Sequence, residues 1–263
     1  MKNIFKNKNI DKEFLNALQE IEKEYYTGYE NSHEKNYFLQ QKHRYTKLYD
    51  IFKSILNKND KILDVGCYPS HFTLCLKKIG YNIIGVDKNP KRNLKFTLDK
   101  HLEIKKCNIE KNVLPFKNET FDKILFVEVF EHLYTNPIFA LNEIKRVLKK
   151  EGKLILATPN GYSLKRIIYF LSGRGLGEDP FEGFETYKLI GHYGHIREYS
   201  VRELKIFLKN IGFTMEKIDF VYYGHYKFRN HPLINSNLRL FYNMFYFFRP
   251  HLMIIASKSK WKN

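Results

Sequence analysis

Two short apolar runs, each closing on an aspartate and a turn, constrain the fold of this chain more than any other feature. The first is Lys61-Ile-Leu-Asp-Val-Gly-Cys-Tyr-Pro-Ser-His71, which places Asp64 and Gly66 at a strand end; the second is Ile83-Ile-Gly-Val-Asp87. A helix-compatible segment separates them. Strand, glycine-bearing turn, helix and second strand make the opening of a βαβ unit, which holds an adenosine-containing ligand at the carboxyl ends of parallel strands. Glycine at 66 lets the backbone approach such a ligand, having no Cβ to collide with it. Asp87 follows Asp64 by 23 residues, near the ~20-residue spacing at which a carboxylate reaches ribose hydroxyls.

The alternation continues along the chain. Strands are expected near 61–66, 82–87, 103–107, 123–129 and 153–158, with helices near 70–79, 90–100, 136–149 and 200–210. This pattern predicts an α/β fold, a Rossmann-like doubly wound sheet, mostly parallel and covered on both faces. The turn at Ile211-Gly-Phe213 leads into a strand near 214–222, and Leu252-Met-Ile-Ile-Ala-Ser257 reads as an antiparallel last strand. Residues 11–25 and 36–56 read as helices ahead of the sheet. In the second, Tyr45, Leu48, Tyr49, Phe52 and Ile55 recur at helical spacing, which suits either packing on the sheet or a lid over a ligand.

A chain of 263 residues is long enough for one α/β domain with extensions: a helical cap over 1–57 and the main domain over 58–263. Two insertions interrupt the main domain. Residues 161–199 are glycine-rich, and a loop of that length inside a compact domain usually carries a function. Its place at the carboxyl edge of the sheet makes it a substrate lid by expectation. Residues 224–250 contain Leu238-Arg-Leu-Phe-Tyr-Asn-Met-Phe-Tyr-Phe-Phe248. A helix near 237–248 is apolar almost all round, which fits core packing, a homodimer, or a peripheral contact with membrane or a lipid-linked substrate.

The formal net charge is +17, which suits RNA, anionic membranes or acidic substrates. The lysines are spread along a sequence also rich in asparagine and isoleucine, which fits the compositional bias of an AT-rich genome equally well. No RNA-binding module is recognisable, so nucleic acid is not an expected partner. Cys67, Cys75 and Cys107 form no C-x-x-C pair, the amino terminus lacks the apolar core of a signal peptide, and no apolar run reaches membrane-spanning length. A cytoplasmic location is the expectation.

Four blocks carry a family resemblance. The Asp64–Gly66 segment is similar to the D-x-G-x-G-x-G motif, with Tyr68 and Ser70 replacing its later glycines. Leu114-Pro-Phe116, then Phe121-Asp122 through Glu128-Val-Phe-Glu131-His132-Leu133, and finally Glu143 through Thr158-Pro-Asn160 follow in order. Together they resemble class I S-adenosyl-L-methionine-dependent methyltransferases. The resemblance implies S-adenosyl-L-methionine as cofactor, with Asp64 and Gly66 on its methionine side and Asp87 on its ribose. It also implies an adenine contact from Asn108, with Ile109 beside it, where relatives often carry an acid. Ser70 and His71 open a helix whose backbone N–H groups suit the methionine carboxylate.

Glu128, Glu131 and His132 form E-x-x-E-H at a strand end, and His195 lies in the distant Gly191–Tyr199 segment. The set resembles two metal-assisted branches of the family, the ubiquinone-pathway O-methyltransferases and the small-RNA terminal 2′-O-methyltransferases. That likeness implies Mg²⁺ or Mn²⁺ on Glu128, Glu131, His132 and His195, if residues 128–132 turn helical and share a face. The alternative gives Glu128 and His132 cofactor-pocket or capping roles, with His195 or His192 as a metal-free general base. Arg197 is either a site for an acidic substrate group or a surface ion pair. The expected activity is O-methylation of a small molecule, a quinone precursor or a surface-glycan intermediate. An RNA 2′-O-methyltransferase and a degenerate, non-catalytic binding protein are the alternatives.

Overall fold

The apolar runs become neighbouring strands of one sheet. The computed structural model describes residues 11–26, 33–90, 102–174, 179–190, 194–223 and 232–259. Its strands are β1 (Lys61–Val65), β2 (Asn82–Asp87), β3 (Ile104–Lys106), β4 (Phe121–Val127), β5 (Leu148–Pro159), β6 (Phe213–Val221) and β7 (His251–Lys258), in the order β3-β2-β1-β4-β5-β7-β6. β1 pairs in parallel with β2 and β4, and β4 with β5. The helices are α1 (Lys12–Tyr26), α2 (His33–Phe52), α3 (His71–Lys78), α4 (Pro137–Val147), α5 (Leu164–Leu171), α6 (Pro180–Ile190), α7 (Val201–Ile211) and α8 (Pro232–Met244).

β7 runs antiparallel to both β5 and β6. The last two strands pair with each other at this end of the sheet, β7 lying inside and β6 holding the edge. The direction has a simple cause. β6 ends at the carboxyl edge and the chain returns there at His251, so the next strand can only run back down.

Strand alternation sorts the core into two layers. Ile62, Ile83, Leu125 and Ile155 face α1, α2 and α3, while Leu63, Val86, Ile124 and Leu154 face α4 and α7. The sequence blocks are tied by polar groups as well. Asp122 Oδ2 accepts the Lys61 N–H that opens β1. Arg146 donates to the carbonyls of Leu114 and Phe116 and pairs with Glu143, whose Oε2 accepts the Leu114 N–H. The Leu114-Pro-Phe116 block is therefore stitched to α4 rather than left as a loose loop.

Two sequence expectations change here. The 161–199 insertion contains two helices, α5 and α6, where a glycine-rich loop was predicted. The aromatic stretch does not stay helical to Phe248: α8 stops at Met244 and a 3₁₀ turn covers Tyr246–Phe248. Within it Tyr242 is buried, and Phe241 stacks on Phe248 with ring centroids 5.9 Å apart. The predicted helix at 90–100 and His192 lie outside the described residues. Among the described residues no helix is long and apolar enough to cross a membrane.

The amino-terminal helices share the sheet's own core. Phe14 is wholly buried and stacks on Tyr49 at 4.3 Å. Phe14→Ala is expected to cost about 3–5 kcal/mol in a single urea transition followed by far-UV circular dichroism. An unchanged midpoint would mean that α1 merely decorates the sheet.

Candidate active site

A cavity of about 940 Å³ opens at the carboxyl edge, between α2 and the ends of β1, β2 and β4. Its first wall is the turn after β1. Gly66 adopts φ +72°, and a Cβ there would lie 2.6 Å from Val129 Cγ2. Both backbone conformation and space therefore demand glycine. The Gly66 and Cys67 N–H groups donate to Val86 O, which folds the turn onto β2. Tyr68 avoids the left-handed region; Ser70 takes it instead, with φ 66°, just before α3. Ser70 is buried, and His71 Nδ1 lies 3.1 Å from the Tyr45 hydroxyl, which joins α2 to the mouth of α3.

Asp64 faces this cavity and accepts a 2.6 Å hydrogen bond from the Thr73 hydroxyl. Burial pushes its carboxyl up to about 6, against the opposing pull of the Thr73 bond. Asp87, at the end of β2, also lines the cavity and accepts the Asn89 N–H through Oδ1. Asn108 and Ile109 follow β3 on the same wall, and Asn108 Oδ1 accepts the Glu110 N–H at 3.1 Å. Every residue expected on the cofactor side thus reaches one cavity.

The second wall is the end of β4, where two acids take different surroundings. Glu128 has φ 55°, outside any helix. Its Oε1 lies 3.2 Å from His251 Nδ1, and its Oε2 lies 3.7 Å from Arg44 Nη2. Burial favours a proton on Glu128, but His251 and Arg44 outweigh it and hold the carboxyl down at about 2. Arg44 sits over the Tyr223 ring at 5.6 Å, and its Nε has no hydrogen-bond partner among the described residues. It is a partly buried cation with a donor unspent at the cavity wall.

Glu131 belongs to the 3₁₀ turn Phe130–His132 and is completely buried. Its Oε2 accepts the Thr158 hydroxyl, and its Oε1 has no hydrogen-bond partner among the described residues. Burial, reinforced by the charge on Glu128, pushes its carboxyl up to about 8. Its backbone oxygen accepts the N–H groups of Ile196 and Arg197, which brings the distant 194–199 segment onto the turn. His132 Nδ1 donates to Gly194 O at 2.6 Å, since a carbonyl can only accept. His195 Nδ1 likewise donates to Glu198 Oε1 at 3.1 Å. In its neutral form each imidazole therefore carries its lone pair at Nε2. Glu198 is gripped in turn by Arg166, whose Nε donates to Oε2 at 2.7 Å and whose Nη2 donates to Oε1.

The expected four-residue metal cluster forms in part. Ligand atoms of Glu131, His132 and His195 lie within 4.8 Å of one another. Glu128 stays with Arg44 and His251, because the helical turn begins only at Phe130 and leaves it off the shared face. Arg197 pairs with Glu203 and is exposed, while Tyr199 packs on Phe130 ahead of the α7 cap. Sequence reading missed Arg44, Glu198, Arg166, His251 and Tyr223. Arg44 lies in a helix read only for its apolar spacing, and His251 opens a strand. The nearest signal was Glu198, three residues from His195, but nothing in the sequence aims one at the other.

A family profile described as "Methyltransferase domain" matches residues 14–218, most of the chain. An uncharacterised protein of Methanocaldococcus jannaschii is 38% identical over 117 residues, covering 43% of this chain and 48% of that protein. The human mitochondrial ubiquinone biosynthesis O-methyltransferase is 36% identical over 108 residues, 38% of this chain and 29% of that protein. The chain therefore spans about half or less of these relatives. An S-adenosylmethionine-dependent methyltransferase of Archaeoglobus fulgidus superposes with a TM-score of 0.56 at 21% identity, over 85% of this chain and 99% of that one. That likeness establishes the shared fold.

The buried Glu131 carboxyl has a stability consequence. A folded-state pKa near 8, above the ordinary 4.5, means the folded protein keeps a proton that the unfolded chain releases. Stability from this group is present below the ordinary value and lost as pH rises towards 8, by up to about 1.4 kcal/mol per pH unit. Glu131→Gln is expected to gain on the parent progressively from pH 5 to pH 8 in urea unfolding. A stability difference that does not change with pH would refute the assignment.

Proposed function

This chain belongs to the methyltransferase-domain family of class I S-adenosyl-L-methionine-dependent enzymes, and we propose that it methylates a hydroxyl of a small molecule with His195 as general base. A quinone precursor and a surface-glycan intermediate are the acceptor classes in view. The human relative's name describes a ubiquinone-pathway O-methyltransferase. An Escherichia coli relative, 26% identical over 157 residues and matched over 56% of this chain and 22% of its own length, is named an O-antigen chain terminator bifunctional methyltransferase/kinase. The observation that carries the proposal is one cavity shared by the strand-end acids Asp64 and Asp87 and by a histidine whose Nδ1–H is tied to a partly buried carboxylate.

When bound, S-adenosyl-L-methionine supplies an electrophilic methyl group on a sulfonium whose leaving group is a neutral thioether. Gly66 gives the backbone access to that ligand, and Asp87 suits the ribose hydroxyls. Asn108 and Ile109 bound the adenine side. Arg44 has the charge and the unspent Nε donor to take the methionine carboxylate, beside Ser70 and the N–H groups that open α3. Its ion pair with Glu128 fixes α2 over the cavity, so the helical cap of residues 1–57 serves the site as its roof.

On the acceptor side, Glu198 holds the His195 tautomer and Arg166 holds Glu198. Nε2 is then the proton-accepting nitrogen, and a nearby acceptor hydroxyl gives its proton there as the new O–C bond forms. The 161–199 insertion supplies His195, Glu198 and Arg166 together, in keeping with a substrate-lid role.

A second reading is favoured by the orphaned Oε1 of Glu131. That oxygen and the Nε2 atoms of His132 and His195 suit a divalent cation, with Gly194 O and Glu198 as the outer partners that such imidazoles require. Two imidazoles among three ligands suit Mn²⁺ or another transition metal better than Mg²⁺. The ion would acidify the acceptor hydroxyl in place of the histidine base.

Calorimetric titration tests the cofactor side. The parent is expected to bind S-adenosyl-L-methionine and its demethylated product, and Asp87→Ala and Arg44→Ala to weaken both about tenfold or more, roughly 1.4 kcal/mol. A parent that binds neither would be a degenerate member of the fold. His195→Ala is expected to keep cofactor affinity and lose methyl transfer across a panel of phenolic and glycan acceptors. Chelation decides between the two readings: full activity in chelator leaves the histidine base, whereas loss restored by Mn²⁺ establishes the metal.

A further inference from the structure

Helix α5 is built inside out. Its one deeply buried side chain is Arg166, held by Glu198, whereas Ile168, Phe170 and Leu171 are 52%, 61% and 77% exposed. A surface helix ordinarily turns its apolar stripe to the core and its charges to water. The end of α8 and the turn after it do likewise, with Leu240, Met244, Tyr246 and Phe247 all exposed. The two segments leave one anchor. Asn160 Nδ2 donates to the carbonyls of Phe247 and Arg249, and its N–H to Pro250 O, only four residues ahead of α5. Tyr187 of α6, from the same insertion as α5, is exposed as well and lines the cavity, so apolar surface continues to its edge.

The charge pattern says what covers this face. There is no aspartate or glutamate from Asn160 to Gly177, where Lys165 and Arg174 add to the buried Arg166, and the sequence from Phe220 to Asn263 has none either while carrying several lysines and arginines. These two stretches, which carry α5 and the Leu240–Phe247 segment, are thus acid-free and basic, whereas the acids of the first insertion begin at Glu178, ahead of α6. A second copy docked face to face would oppose like charges around its apolar centre. An anionic lipid surface offers the complement to both properties: acyl chains for the aliphatic and aromatic side chains, and phosphates for the basic rim. Lys165 and Arg174, at the two ends of α5, lie over the ring of Tyr169 at 5.3 and 5.6 Å, an arrangement suited to the headgroup level.

We propose that the face formed by α5 and the Leu240–Phe247 segment seats the protein on an anionic lipid bilayer. The assignment stands apart from the choice of acceptor and of base. The experiment is co-sedimentation of the full chain with vesicles of phosphatidylcholine alone and of phosphatidylcholine with phosphatidylglycerol, beside the double variant Ile168→Glu/Leu171→Glu. Neither residue belongs to the cofactor cavity, so calorimetric binding of S-adenosyl-L-methionine reports that the variant is folded. The expected result is binding to the phosphatidylglycerol vesicles, weakened by salt and reduced about tenfold or more in the variant, with cofactor affinity unchanged. Absence of vesicle binding, equal binding to neutral vesicles, or undiminished binding by the variant overturns the proposal. A dimer in sedimentation velocity that the variant dissolves, without vesicle binding, reassigns the face to a second copy.

Discussion

The contact between Gly66 and Val129 is the constraint on which the rest of this site depends. β1 and β4 lie side by side and end together, and the turn beyond β1 must pass the turn beyond β4 with no room for a side chain. Because Gly66 yields that room, the first turn folds down onto β2, and α3 starts beneath the cavity instead of across it. Val129 in turn precedes the 3₁₀ turn that carries Glu131 and His132. One missing Cβ thereby bears on both walls of the cavity.

Electrostatics then separates two carboxyl groups that the sequence places three residues apart. Glu128 and Glu131 both leave water, and burial alone would protonate both. Glu128 meets Arg44 from α2 and His251 from β7, and stays ionised; Glu131 meets a threonine hydroxyl and the repulsion of Glu128, and keeps its proton at neutral pH. Divergent environments for a pair of acids are a recurrent way for one site to hold charge at one position and a proton at another. The ionised member of the pair also has a structural role, since the Arg44–Glu128 contact joins α2 to the end of β4 at the cavity.

The cavity wall that carries His132 and His195 depends on long-range assembly. His195 stands 63 residues beyond His132 in the chain, yet their ring centroids lie 4.9 Å apart. Backbone hydrogen bonds to Glu131 O bring the 194–199 segment to the turn, and the Arg166–Glu198 pair holds it from behind. α5 therefore spends its inward face on an arginine that supports the site, which leaves its apolar residues outward. The exposed surface and the buried ion pair are two consequences of one orientation.

Local chemistry made much of this legible in the sequence. Alternating strands and helices, glycine where a turn must pass close, and aspartates at strand ends are properties of a few neighbouring residues, and they were enough for the sheet, its mostly parallel pairing and the cavity wall that carries Asp64, Gly66 and Asp87. Tertiary structure alone decided the partners of each ionisable group. Nothing near Glu128 in the chain announces Arg44 or His251, which lie 84 residues before it and 123 after it, and a helical face drawn from residue spacing could not foresee the left-handed backbone at Glu128. The inverted polarity of α5 was hidden for the same reason. Residue spacing reports which side chains share a face, but which face meets the core is settled only when distant segments compete for the same surface.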